Sequence, residues 1–343
     1  MLSEVPALWE EKLRQWSAWN KPKKKLVNQR AVPDPNEEIL LYQTMLGAWP
    51  LNRNEAPAFR RRLLAYMVKA TREAMVNTKW SRPNVRHERA LLHFIKSITK
   101  ESEDDRFLND FLPVCEEVAY YGAINSLAQL LLKITGPGVP DFYQGTELWD
   151  FRLVDPDNRG PVDFEARVRL LAELKRREAR NRLGLIRDLV EQWQDGRIKL
   201  FVTSKALAFR RARSQLFLEG AYQPLSAGGP KQENVFAFAR RRKDTWAVTA
   251  VPRLVAKLVP ASRAPIGDSV WADNVVLLPK QAPPDWVDVL TGERLRARSA
   301  IQGRVLPLQE VFGKFPVALL TSLAGDDLPS DLEEHQPARR RVR

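Results

Sequence analysis

The sequence predicts an α+β protein of several domains, and three features carry that prediction. Apolar residues recur at helical spacing through the first 135 residues. A Gly/Pro turn, a short apolar run and a long polar loop then lead into another helix, the pattern of a β/α step. Past Gly220, short alternating segments are separated by turns rich in glycine and proline, as in an antiparallel β-sandwich. Of the 343 residues, 44% are apolar and 28% charged, with 10 tryptophans and 14 phenylalanines, which excludes a disordered or collagen-like chain.

The helical part opens with Asp34-Pro35-Asn36-Glu37. The order is an N-cap aspartate, a proline at the first helical position and a glutamate three residues after the cap. Ile39, Leu40, Met45 and Leu46 follow, and Gly47 suits the stop. A second helix is expected from Ala58 to Val76, with Phe59, Leu63, Tyr66, Met67 and Ala70 on one face. A third follows Asn84, on Leu91, Leu92, Ile95 and Ile98. Val114, Val118, Tyr121, Ile124, Leu127, Leu131 and Ile134 define a long, largely buried helix that Gly136-Pro137-Gly138 ends. Val139 to Tyr143 reads as a short strand, and a helix is expected from about Asp163 to Arg180. Ile198 to Ala212 favours a helix. Strands are expected at Val235–Ala239, Trp246–Val251, Val275–Leu278, Trp286–Leu290 and Val317–Thr321. Residues beyond about Ala324 lack periodicity and read as a disordered tail.

Composition narrows the setting. The single cysteine, Cys115, cannot form an internal disulfide, which favours a reducing cytoplasm; in an apolar helix it reads as a small core residue. Glu4, Pro6 and Glu10 interrupt the stretch a secretion signal needs, and no apolar run approaches the roughly 20 residues of a membrane span. The formal net charge is +13, from 55 basic and 42 acidic residues. The basic clusters Lys21–Lys25, Arg60–Arg62, Lys175–Arg182, Arg240–Lys243 and Arg339–Arg343 mix with acids or fall on outer helix faces, so they read as solvated surface. No nucleic-acid reading module accompanies them, and neither nucleic acid nor a membrane is an expected partner.

No dinucleotide fingerprint, P-loop, Cys-x-x-Cys or His-Glu-x-x-His motif is present. His87 and His93 are six residues apart on one expected helix and read as helix-surface positions rather than a metal site; His335 lies in the tail. One segment is chemically dense. Residues 141–163 hold six carboxylates, a glutamine, an asparagine, two arginines (Arg152, Arg159) and several aromatic rings. Sugars are gripped by side chains that donate and accept hydrogen bonds in pairs, with aromatic rings under their C–H faces. Tyr143, Gln144, Glu147, Trp149, Asp155, Asp157, Asn158 and Arg159 supply that mixture. The alternative is a bracing network of acid–arginine pairs and Asx-turns.

Gly-Val-Pro-Asp-Phe-Tyr-Gln-Gly-Thr-Glu-Leu (138–148) resembles the eighth-strand region of the α-amylase superfamily. Residues 153–164, Leu-Val-Asp-Pro-Asp-Asn-Arg-Gly-Pro-Val-Asp-Phe, are similar to the maltooligosyl trehalose synthase family within it. So are Asn36-Glu37-Glu38, the block 41–50 and Lys79-Trp80-Ser81-Arg82-Pro83-Asn84. Gly160 departs from the pattern, where the resemblance implies an arginine. The resemblance implies the last part of a (β/α)8 barrel with a helical insertion, followed by an antiparallel β-sandwich domain. The expected boundaries are 1–135 for the helical insertion and barrel helix and 136–215 for the final strand, sugar-site loop and helices. The sandwich is placed at 216–323 and the tail at 324–343.

The implied reaction is an intramolecular transglucosylation that turns the reducing-end α-1,4 bond of a maltooligosaccharide into an α,α-1,1 bond. This is retaining-glycosidase chemistry with water kept out, and it needs no cofactor. The resemblance assigns the reacting carboxylates to the fourth, fifth and seventh barrel strands, whereas Met1–Pro6 resembles the segment after the seventh. No catalytic residue is therefore assigned here, and Glu147 and Asp157 are not given that role. The chain alone is expected to be inactive, its partners being a maltooligosaccharide and the N-terminal barrel half. A second reading is a non-catalytic carbohydrate-binding or scaffold protein derived from that enzyme.

Overall fold

In the computed structural model, residues 3–100, 105–301 and 303–323 are described; the expected tail and His335 lie outside them. Helices come first: α1 (Pro6–Asn20), the hairpin β1 (Lys25–Val27) and β2 (Arg30–Val32), then α2 (Pro35–Ala48), α3 (Ala56–Ala74), α4 (Val85–Ile98) and α5 (Arg106–Thr135). After a long loop come α6 (Phe164–Glu191), α7 (Arg197–Ala212) and α8 (Ser214–Glu219). The remainder is mostly strand: β3 (Ala221–Leu225), β4 (Ala227–Gly228), β5 (Val235–Arg242), β6 (Thr245–Pro252), a helical turn α9 (Asp268–Trp271), β7 (Val275–Leu278) and β8 (Asp285–Asp288). It ends with β9 (Arg294–Arg296), β10 (Arg298–Ala300), β11 (Gly303–Pro307), α10 (Leu308–Val311) and β12 (Ala318–Ser322).

Within the described residues the chain divides into two compact units, Met1–Gly122 with Asp150–Pro161, and Ala123–Trp149 with Val162–Arg343. Boundaries at 135/136 and 215/216 do not coincide with this division. The loop 150–161 goes with the first unit because arginine and lysine side chains of α3 hold it, a long-range contact that periodicity along the chain does not encode.

The first unit is built around interlocked aromatic rings. Trp16 is fully buried and meets Tyr42, Phe107 and Phe111 edge-on with centroids 5.8, 5.6 and 5.5 Å away. Its indole N–H donates to Asp110 at 2.7 Å, and Lys12 closes the pair at 2.6 Å, so the buried polar end is satisfied. The start signals for α2 hold, although the helix runs through Gly47 to Ala48: the Glu37 backbone N–H donates to the Asp34 carboxylate at 2.9 Å, and the Glu37 carboxylate accepts from the Asp34 N–H at 3.1 Å. Asn84 caps α4 by accepting from the His87 N–H at 3.2 Å.

His87 itself corrects the sequence reading. It is buried, with Nε2 2.8 Å from Glu37 Oε1, because an acid on another helix satisfies it, which spacing along its own helix cannot reveal. Lys23 and Lys24 are likewise not bare surface, being paired with Asp105 at 3.2 Å and Glu38 at 2.7 Å.

In the second unit all strand pairings are antiparallel. A six-stranded sheet runs β3-β5-β6-β12-β8-β9 and a four-stranded sheet runs β10-β11-β7-β4. β6 and β12 are buried on both faces. Ala247, Val251 and Leu319 on one face join Leu131, Ile134, Leu189 and Val202 in a shared core with the ends of α5, α6 and α7. α6 carries a break at Asn181 (φ −157°, ψ 86°), whose side chain accepts from the Gly184 N–H at 2.9 Å and so caps the second half, close to the expected stop at Arg180. No strand forms over Val139–Tyr143, which corrects the expected eighth strand: strand pairing needs a neighbour, and none of the described strands runs beside it. No helix of the described residues is long and apolar enough to cross a membrane.

Two outcomes follow from this packing. Trp16→Ala lowers stability by about 3–5 kcal/mol, whereas Leu26→Ala, at a position 73% exposed, changes it by less than about 0.5 kcal/mol; urea unfolding measures both. Asp288, wholly buried at the end of β8, has its carboxyl pushed up to about 6 by desolvation, which hydrogen bonds from the Leu290 N–H (2.9 Å) and Thr291 hydroxyl (3.0 Å) offset in part. Since the folded state holds the proton more tightly, stability falls as pH rises from about 4 to about 6, by roughly 2–3 kcal/mol. Asp288→Asn removes that slope; an identical slope in the variant contradicts the assignment.

Candidate functional site

The residues predicted from the sequence fall into two groups, one in each unit. In the second unit α5 ends at Thr135, and Arg210 of α7 binds the carbonyls that follow. Its guanidinium donates to Ile134 O at 2.6 Å and Gly136 O at 3.4 Å, and also to Gly138 O, fixing where the chain leaves the helix. Val139 is 86% exposed. Lys133 donates to Asp141 O at 2.8 Å with its ammonium 3.8 Å from the Phe142 ring centre. A turn closes over 143–146, where the Thr146 N–H and hydroxyl both donate to Tyr143 O, at 3.2 and 2.7 Å.

Arg167, in the first turns of α6, holds that turn. Its Nε donates to Glu147 at 2.8 Å, Nη2 to Gly145 O at 2.9 Å and Nη1 to Asp163 O at 3.1 Å. Asp163 in turn caps α6 by accepting from the Ala166 N–H at 2.8 Å. Trp149 donates its indole N–H to Trp193 O at 2.6 Å, and Lys199 donates to Leu148 O at 3.1 Å. Gly196, at φ +78°, is required where it stands: a Cβ would lie 3.1 Å from the Trp149 nitrogen. Tyr143 is 47% exposed, and Gln144 is exposed as well.

In the first unit Asp150 accepts both guanidinium arms of Arg152 at 2.8 and 2.6 Å as well as the Arg152 N–H at 3.0 Å. Asp157 Oδ2 accepts from Arg62 of α3 at 2.7 Å and from the Leu153 N–H at 2.7 Å, and Arg62 also reaches Phe151 O at 3.3 Å. Lys69, two turns further along α3, donates to Asp155 O. Asp155 and Arg159 pair with each other near the surface. Asn158 keeps a buried Oδ1 with no partner.

Of the eight candidates, Tyr143, Gln144, Glu147 and Trp149 are thus set in the second unit, and Asp155, Asp157, Asn158 and Arg159 in the first. The carboxylates of Glu147, Asp155 and Asp157 are all engaged by arginines, which is the bracing arrangement. The braces Arg62, Lys69, Arg167 and Arg210 are missing from the sequence-derived set. Their partners lie 95, 86, 20 and 76 residues away, beyond any local spacing rule. Only Asp163–Arg167, four apart at a helix start, left a local trace. Among the described residues no three His, Cys, Asp or Glu side chains gather as a metal site. Cys115 is buried, and desolvation pushes its thiol up to about 12.

Breaking the Asp157 brace frees the Leu153 N–H. Asp157→Ala accelerates amide exchange at Leu153 about tenfold, equivalent to about 1.4 kcal/mol, and leaves exchange in β6 unchanged. Unaltered exchange at Leu153 contradicts the bracing role.

No family model matches the chain. Over 320 residues it is 32% identical to a Mycobacterium tuberculosis protein provisionally named a maltooligosyl trehalose synthase, covering 93% of this chain and 34% of that protein. Its structure is similar to that of the Arthrobacter ramosus maltooligosyltrehalose synthase, with a TM-score of 0.69 at 32% identity over 93% of this chain and 35% of that one. It is also similar to that of a hypothetical maltooligosyl trehalose synthase of Sulfolobus tokodaii, with a TM-score of 0.62 at 26% identity over 94% and 36%. The chain spans about a third of the length of these relatives. Over 93% of its length it is similar to about a third of a maltooligosyl trehalose synthase.

Proposed function

We propose that the chain is the C-terminal, sugar-holding portion of a trehalose-forming transglucosylase, and that by itself it does not turn over substrate. The observation that carries the reading is the correspondence of 93% of the chain to about a third of maltooligosyl trehalose synthases. The reaction isomerises the reducing end of a maltooligosaccharide: the terminal α-1,4 bond breaks and the released glucose is rejoined through its anomeric hydroxyl as an α,α-1,1 linkage. Chemistry of this kind needs a nucleophilic carboxylate, a proton donor and exclusion of water.

This chain's residues serve the binding and orienting part. Tyr143 and Gln144 offer a ring face and an amide. Trp149, Asn158 and Arg159 add further ring and hydrogen-bonding groups. Glu147, Asp155 and Asp157 shape the loop through Arg167, Arg159 and Arg62 rather than moving protons. The unpaired run 139–143 is open to a neighbouring strand, so the polypeptide carrying the rest of the relatives' length is the partner that supplies the reacting carboxylates. A maltooligosaccharide is the substrate, and no cofactor takes part. The engaged carboxylates also favour a narrower reading of the chain in isolation, as a carbohydrate-binding scaffold without turnover.

The 343-residue chain incubated with maltohexaose leaves the concentration of reducing ends unchanged. Co-expressed with a polypeptide covering the other two thirds of a relative, it removes reducing ends and yields a non-reducing hexasaccharide. Loss of reducing ends with the chain alone contradicts the division of labour.

A further inference from the structure

Outside the loop, the described residues of the first unit form an open groove with the chemistry of a sugar platform. It is about 410 Å³, lined by Arg72, Glu73, Met75, Lys79, Trp80 and Ser81. Trp80 is 57% exposed, unlike the fully buried Trp16, Trp246, Trp271 and Trp286. Its ring is held rather than loose: the Arg72 guanidinium sits 4.9 Å from the ring centre and is itself clamped to Glu88 by two hydrogen bonds, 2.8 and 2.7 Å. Glu88 also accepts from the buried Thr78 hydroxyl at 2.6 Å, so the support beneath the tryptophan is rigid. A rigid exposed indole beside Glu73, Lys79 and Ser81 joins an apolar floor to donors and acceptors, the lining that recognises a pyranose.

Helix α3 connects this groove to the loop. Arg62 holds Asp157 and Phe151 O, Lys69 holds Asp155 O, and Glu73 lines the groove while lying 3.8 Å from Lys69. Positions 62, 69 and 73 are seven and four residues apart and fall on one face of the helix. At 1.5 Å per residue they span about 16 Å, the reach of an oligosaccharide rather than of one sugar.

We infer that the Trp80 groove is a distal subsite for an α-1,4-glucan whose other end lies at the loop 150–159. The inference rests on the carbohydrate reading above and adds to it the element that senses chain length. Met75, which lines the groove, is 61% exposed, so an apolar protein surface is the competing occupant.

The test is calorimetric titration of the full chain with maltotriose and with maltoheptaose. The unaltered chain binds maltoheptaose at least tenfold more tightly than maltotriose. Trp80→Ala abolishes that advantage while leaving maltotriose affinity and the melting temperature unchanged, and Trp80→Tyr restores most of it. If the chain binds both sugars and Trp80→Ala retains the tenfold advantage, the subsite is overturned and the carbohydrate reading stands. If the unaltered chain binds neither sugar, both fall. If Trp80→Ala instead abolishes self-association and leaves sugar binding intact, the groove is a protein-docking surface and the subsite is overturned.

Discussion

A long loop without sheet partners must have its buried polar groups satisfied from elsewhere, and in this chain arginines and lysines on helices do so. Each unit solves the problem locally. In one, Arg62 takes up Asp157 and a carbonyl while Lys69 takes up another. In the other, Arg167 gathers Glu147, Gly145 O and Asp163 O under a single planar cation, and Arg210 collects the carbonyls at the end of α5. A guanidinium suits this because its five donors lie in a fixed fork and its charge persists at every working pH. The cost of burying unpaired carbonyls and carboxylates is thereby avoided without a sheet.

The same arrangement divides labour among the loop's residues. Carboxylates that looked like sugar ligands from composition are largely committed to holding the backbone in shape. Tyr143 and Gln144 are exposed, whereas Asn158 keeps its Oδ1 buried and without a partner. Braced acids and presented aromatic or amide groups are complementary: binding geometry is held only as well as the groups behind it are locked.

Much of the architecture was legible because it depends on near neighbours. The capping box at Asp34 and Glu37, the cap at Asn84 and the helical period through Ile134 all act within a few residues, and the structure realises them. The expected strands from Val235 to Thr321 also form, since alternation and Gly/Pro turns specify them locally. What failed depends on partners distant in sequence. Val139–Tyr143 has strand-like composition but no described strand beside it, so composition alone could not make it one. His87 looked like surface until Glu37 of another helix came within 2.8 Å. The β1–β2 hairpin was missed because its turn residues, Asn28 and Gln29, adopt positive φ without the glycine that usually signals such a turn. The loop was visible as an unusual density of polar and aromatic groups, but the side chains that brace it were not.

The central proposal is that residues 143–149 and 153–159, each braced within its own unit, hold sugar. Hydrogen–deuterium exchange of the chain, with and without saturating maltoheptaose, addresses it directly. The account predicts slowed exchange at 143–149 and 153–159, with the sheet strands β5, β6 and β12 unchanged. Slowed exchange confined to other segments, with the loop exchanging at the same rate in both conditions, would contradict it.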